Sequence, residues 1–217
     1  EGIVPAAEAE RMAARYLELH EHHFDSTQKY QSLQGLINLD RLCWPWLAYP
    51  PLLEVARDFM GPDIRLAEVC SKSVLPGFDN GGVHADAMGI PSPLPLPMWL
   101  LNTMWMLTNF SEENGGTRVV PYSHRLASHP TAAALDYLVS VEGKPGDVLM
   151  WHGGVWHGAG ANRSKSPRMG LNFGYIPHWI SSEIDSSWIP VDPDVFAQLP
   201  SELADLTRHH VGKPESS

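Results

Sequence analysis

The sequence is poor in cysteine, in basic charge and in long apolar runs. Only two of its 217 residues are cysteine. Cys43 and Cys70 sit in unrelated contexts without C-x-x-C spacing, which argues against a disulfide scaffold, reads both as buried thiols and leads us to expect a reducing, cytoplasmic setting. Lys and Arg total 15 against 25 acidic residues, and the net charge is −10. With the basic residues scattered, no cationic footprint for nucleic acid is present. There is no run of about 18 apolar residues and no charged leader before an apolar stretch, so neither membrane insertion nor a signal peptide is expected.

What is there is a chain 43 % hydrophobic, enough for one compact domain over residues 1–217 with a sizeable core. Residues 5–24 place Ala9, Met12, Ala13, Tyr16, His20 and Phe24 at helical spacing, which predicts an amphipathic helix. PPLLEVARDFMG, residues 50–61, predicts a second helix of two to three turns, opened by prolines and stopped by Gly61 and Pro62. This defines a helical part over about 1–62. From about residue 66 short apolar runs separated by Gly, Pro and Asn take over: LAEVCSKSVL, WLLNTMWMLTNF, TRVVP, YLVSVE, DVLMW and RMGLNFGY. They predict a β-rich core over about 63–180, a sandwich or barrel. PSPLPLPMW, with four alternating prolines, is excluded from a central strand. A C-terminal helical segment is expected over about 190–210, followed by a polar, frayed tail. His20, His22 and His23 have no i, i+4 pair and read as a solvated helix face with His20 partly buried.

The stretch GGVHADAMG, residues 81–89, sets His84 and Asp86 one residue apart behind two glycines. Chance alone gives roughly 0.6 His-x-Asp pairs in a chain of this composition, so a surface turn is the ordinary reading of the pair by itself. In extended backbone, however, residues i and i+2 share a face, so an imidazole and a carboxylate there reach one ion together. Iron(II) sites with two His and one carboxylate need a third ligand from elsewhere. GDVLMWHGGVWHGAGANRSKSPR, residues 146–168, offers His152 and His157; His157 precedes the glycine-rich GAGAN. Arg168 follows eleven residues later and offers a planar fork suited to a carboxylate. If the two strands pair as a hairpin, Arg168 and His157 face one cavity.

His84-Ala85-Asp86, ENGGTRVVPYSHR at 113–125 and PGDVLMWHGGVWHGAGANRSKSPR at 145–168 together resemble the phytanoyl-CoA dioxygenase (PhyH) family of iron(II)- and 2-oxoglutarate-dependent oxygenases. The resemblance covers roughly residues 66–180. It implies a mainly β fold with flanking helices and a double-stranded β-helix (jelly-roll, cupin-like) core. It makes His84, Asp86 and His157 the iron ligands and catalytic centre, and Arg168 the partner of the distal carboxylate of 2-oxoglutarate. Asn102 and Thr117 occupy places where some members contact the cosubstrate. Two departures stand out: Ala159 replaces a common serine two residues after the distal His, and Pro121-Tyr122-Ser123-His124 replaces PGSH.

The resemblance implies that Fe(II), 2-oxoglutarate and O2 support hydroxylation, or another oxidation, of a small organic molecule, with release of succinate and CO2. Asp86 favours hydroxylation, desaturation or ring chemistry over halogenation. Apolar residues near the motifs, among them Met88, Trp99 and Trp156, hint at a lipid-like or natural-product substrate. The alternatives are a zinc hydrolase, which leaves Arg168 unexplained and lacks a general base, and a non-catalytic jelly-roll binding module. For Thr117 a mere hairpin turn, and for His157 a core histidine, remain open. Sequence alone leaves the oligomeric state unknown.

Overall fold

In the computed structural model, residues 2–87, 90–180 and 190–210 are described. Met88, expected near the substrate, and the frayed tail lie outside them. The first helix, α1 (Ala6–His23), follows its predicted periodicity and buries Ala9, Met12, Ala13, Tyr16 and His20. A short strand, β1 (Tyr30–Gln34), and two short helices, α2 (Leu36–Leu39) and α3 (Trp44–Leu47), lead to α4 (Pro50–Met60). Prolines in the first turn of α4 cost no hydrogen bond there, and Gly61, at φ 90°, stops it.

The strands β2 (Ile64–Val74), β3 (Leu101–Met106), β4 (Thr117–Val119), β5 (Val139–Ser140), β6 (Val148–His152), β7 (His157–Ala159) and β8 (Arg168–Pro177) follow. All pair antiparallel, in a five-stranded sheet of order β1-β2-β8-β3-β6 and a three-stranded sheet of order β5-β4-β7. The proline-rich 91–99 segment holds no strand. Two short helices, α5 (Pro193–Phe196) and α6 (Ser201–Thr207), fall within the predicted C-terminal segment.

Alternation along the strands divides the larger sheet into two chemically different faces. On β8, Met169, Leu171, Phe173 and Tyr175 join the main core with Met12 and Tyr16 of α1 and Leu53 of α4. Trp105 of β3 stacks on Trp46 in the same core, with ring centroids 5.1 Å apart. The opposite face carries Arg168 and Asn172 of β8, Lys72 of β2, Met104 of β3 and Trp151 of β6, and these line one cavity with Thr117, His157 and Ala159 of the smaller sheet. One face thus supplies an apolar core, while the face between the sheets sets Arg168, Asn172 and Lys72 among the apolar Met104 and Trp151.

Two readings are corrected. The β7 and β8 segments do not form a hairpin: β7 pairs with β4, and β8 with β2 and β3. The 160–167 connection crosses from one sheet to the other, tied by Asn162, whose side chain donates to the Val74 and Ser166 carbonyls. Arg168 therefore meets His157 across the cavity rather than along a ladder. His20 is fully buried, not partly: its ring bonds Gln31 at 3.1 Å and Ser71 at 2.7 Å, and this pairing lets a polar ring enter the core.

Candidate metal centre and adjoining cavity

Two backbone hydrogen bonds bring the histidines together. The His84 N–H donates to the His157 carbonyl at 3.0 Å, and the His157 N–H donates to that of His84 at 2.9 Å. The ring centroids lie 4.3 Å apart. Close approach of the two chains requires glycine: a Cβ on Gly158 would stand 2.4 Å from the Gly82 carbonyl oxygen. Of the paired glycines before His84, Gly81 is also tightly packed, a Cβ there meeting the Ala159 carbonyl oxygen at 3.0 Å, whereas Gly82 has open space beside it.

Asp86 reaches both rings. Its Oδ1 lies 3.3 Å from His84 Nε2 and its Oδ2 3.4 Å from His157 Nε2. The three ligand atoms fall within 4.8 Å of one another. Ligand atoms on neighbouring vertices around a first-row ion bound at about 2.1 Å lie about 3 Å apart, so the group needs only small closure to hold one. His157 Nδ1 is 2.9 Å from the Val155 carbonyl, which fixes the proton there and leaves Nε2 with its lone pair facing Asp86. The donor set, two imidazoles and one carboxylate, suits iron(II) with open positions.

The backbone fixes Asp86 too. Its N–H donates to the Gly153 carbonyl at 2.8 Å, and its own carbonyl accepts from the Trp99 indole at 3.3 Å. The Asn102 amide donates to Asp86 Oδ2 at 2.5 Å, so this residue touches the candidate carboxylate ligand directly. Burial alone would raise the Asp86 pKa, but the two imidazoles outweigh it and bring it down to about 2. The hydrogen bond to Asp86 raises His84, half exposed, whereas burial lowers His157.

Arg168 sits at the other end of the cavity, 2 % exposed. Its Nε and Nη2 donate to the Gly115 carbonyl at 3.0 and 2.8 Å, and its guanidinium lies 4.6 Å from the Phe110 ring centroid. Gly115, at φ 80°, adopts a backbone that side chains rarely take, in the turn before Thr117. Arg168 Nη1 is buried without a partner, and among the described residues no carboxylate pairs with the guanidinium. Burial lowers its pKa to about 10. An uncompensated buried charge costs about 3–5 kcal/mol, so a cation retained here calls for an anion.

The sequence did not flag Lys72, which lines the same cavity and pairs with Glu68 at 3.2 Å. Glu68 also accepts from Asn172 at 2.8 Å. Strand alternation on β2 places Lys72 on the cavity face only once the bulge between Leu66 and Glu68 is known. Thr117 is buried and lines the cavity beside Ala159, its ladder partner. His152 faces away: its ring meets Trp99 edge-on at 4.6 Å and lies 5.4 Å from that of His124. Trp99 and Trp156 are buried in a second cluster around Ala85 and Ala87, whereas Trp179 is 66 % exposed.

An antiparallel β protein with flanking helices and a His-carboxylate-His group between its sheets is the class this geometry defines. More particularly, the chain belongs to the phytanoyl-CoA dioxygenase (PhyH) family, whose model matches residues 1–170. Among curated relatives it is 28 % identical over 148 residues to dioxygenase af480 of Aspergillus fumigatus, covering 66 % of this chain and 48 % of that protein. It is 35 % identical over 109 residues to dioxygenase trt7 of Aspergillus terreus, covering 48 % and 38 %. The matched region thus spans less than half the length of these relatives.

Solved structures share the fold. HygX from Streptomyces hygroscopicus, with nickel and 2-oxoglutarate bound, aligns with a TM-score of 0.68 at 18 % identity over 93 % of this chain and 87 % of its own. The epimerase SnoN, in complex with Fe3+, alpha ketoglutarate and nogalamycin RO, aligns at 0.66 and 19 % over 81 % and 77 %.

Proposed function

We propose that the protein is an iron(II)- and 2-oxoglutarate-dependent oxygenase built on a double-stranded β-helix, acting on a small, apolar organic molecule such as a natural-product intermediate. The observation that carries this reading is the pairing of two features across one cavity: three convergent metal ligands at one end and a buried, anion-seeking Arg168 at the other. His84, Asp86 and His157 hold the iron. Arg168 takes the far carboxylate of the cosubstrate, with Lys72 as a second cation and Thr117 along the wall. Asn102, expected beside the cosubstrate, is assigned instead to orienting Asp86.

Bound there, ferrous iron and 2-oxoglutarate supply the oxidising power to break a C–H bond, consuming O2 and releasing succinate and CO2. The chain's part is to orient and to exclude. The His157 tautomer keeps Nε2 unprotonated, Asp86 stays ionised, and the buried Arg168, Asn172 and Thr117 line the cavity. The natural-product reading draws on the relatives' descriptions as fungal dioxygenases and on SnoN and HygX, described in complex with nogalamycin RO and hygromycin B. The test is oxygen-dependent succinate formation from 2-oxoglutarate with added iron, screened for stimulation by small apolar molecules. Hydrolysis with zinc and without oxygen supports a hydrolase instead, and ligand binding without any turnover supports a binding module.

A further inference from the structure

Resting on that reading, we infer that the indole N–H of Trp151 donates a hydrogen bond to the bound dicarboxylate, making Trp151 a binding residue of the cosubstrate pocket. Trp151 lies on the inward face of β6, opposite Asn102 in the ladder with β3, and its ring centroid is 5.0 Å from that of His157. It lines the cavity with Arg168 and Ala159 and is 7 % exposed.

Its hydrogen bonding sets it apart. The buried indoles of Trp44, Trp46, Trp99, Trp105 and Trp156 each donate to a protein oxygen. Among the described residues Trp151 is the buried tryptophan whose Nε1 has no partner. Buried donors are nearly always satisfied, and one left open beside a ligand cavity is best explained by the ligand. A second open donor, Arg168 Nη1, borders the same space. Ala159 offers only a methyl group there, so the indole adds a neutral donor to a wall that already carries Thr117.

Calorimetric titration of 2-oxoglutarate into the anaerobic iron(II) protein tests this. Trp151→Phe keeps a ring and removes the N–H; we expect its 2-oxoglutarate Kd to rise roughly 5- to 10-fold, with iron affinity unchanged within about twofold and the apo melting temperature not lowered. Adding Ala159→Ser to Trp151→Phe restores most of the loss, because a hydroxyl then faces the same space. In the wild type, with zinc(II) as a diamagnetic stand-in and 15N-labelled indoles, one buried indole resonance moves downfield when 2-oxoglutarate is added. An unchanged Kd in the Phe variant, or no indole resonance that moves, overturns the inference while leaving the proposed function intact. Failure of the wild type to bind 2-oxoglutarate overturns both.

Discussion

His84 and His157 exchange both of their backbone hydrogen bonds, at 3.0 and 2.9 Å, and this bridge holds two imidazoles from distant parts of the chain 4.3 Å apart. The candidate metal site is thus set by backbone pairing. An arrangement of this kind limits what binding must reorganise.

Removing a ligand should remove the metal. Loss of outer partners of metal ligands typically costs 10–100-fold in affinity, so loss of the His157 imidazole itself should weaken iron(II) binding by about 100-fold or more and abolish iron-dependent turnover. Equilibrium dialysis of His157→Ala against iron(II) under anaerobic conditions measures this. Retained stoichiometric binding contradicts the assignment.

Asn102 separates two roles by what each measurement moves. Its amide holds Asp86 Oδ2 at 2.5 Å, so Asn102→Leu should weaken metal binding roughly 10–100-fold. The 2-oxoglutarate Kd, measured with metal saturating, should stay within about twofold. The opposite pattern, normal metal affinity with weak cosubstrate binding, would place Asn102 at the cosubstrate.

Arg168→Met exchanges a buried cation without a carboxylate partner for a shorter apolar chain. The apo protein should lose little stability, since removal of a buried charge without a carboxylate partner offsets the two hydrogen bonds lost at the Gly115 carbonyl, while the 2-oxoglutarate Kd rises by more than tenfold. Thermal melts with and without 2-oxoglutarate read both effects together; a large cosubstrate-induced stabilisation that survives in the variant refutes the role.

Gly158→Ala probes the bridge. The added Cβ meets the Gly82 carbonyl oxygen at 2.4 Å, a backbone clash that cannot be relieved by a side-chain rotation. We expect destabilisation of about 1–3 kcal/mol and weaker metal binding, measured by denaturant melts and dialysis. A variant with wild-type stability and metal affinity means the two chains do not pack this closely.

His20 sets one pH dependence away from the site. Burial lowers its folded pKa below 6.5 although Gln31 opposes the shift. The unfolded chain therefore takes up a proton first as pH falls, so the contribution of neutral His20 is complete above 6.5 and is lost below it. The loss is at most about 1.4 kcal/mol per pH unit for one proton. Denaturant melts from pH 7.5 to 5 should show a shallower pH dependence for His20→Gln than for the wild type; parallel curves exclude this role.

Much of this was legible in the sequence where one residue type has one job. The periodicity of α1, the prolines opening α4 and the turn residues between strands each announce themselves locally. The His84, Asp86, His157 and Arg168 positions stood out through three ordered motifs that resemble one family, since a lone His-x-Asp pair is expected by chance and His152 competed with His157. What was hidden depends on pairing across the fold. The β1 strand is short and half polar, and Lys72 sits in a strand whose bulge between Leu66 and Glu68 shifts the alternation. The destination of Asn102 was also invisible, since a buried amide has many acceptors within reach and only the β3 register selects Asp86.

The measurement that bears most directly on the account is the visible spectrum of the anaerobic protein with iron(II) and 2-oxoglutarate. If both ligands of one ferrous centre meet in this cavity, a metal-to-ligand charge-transfer band should grow to an endpoint of one iron and one 2-oxoglutarate per chain, and vanish with succinate formation when air is admitted. Full iron binding with no such band at saturating 2-oxoglutarate would contradict it.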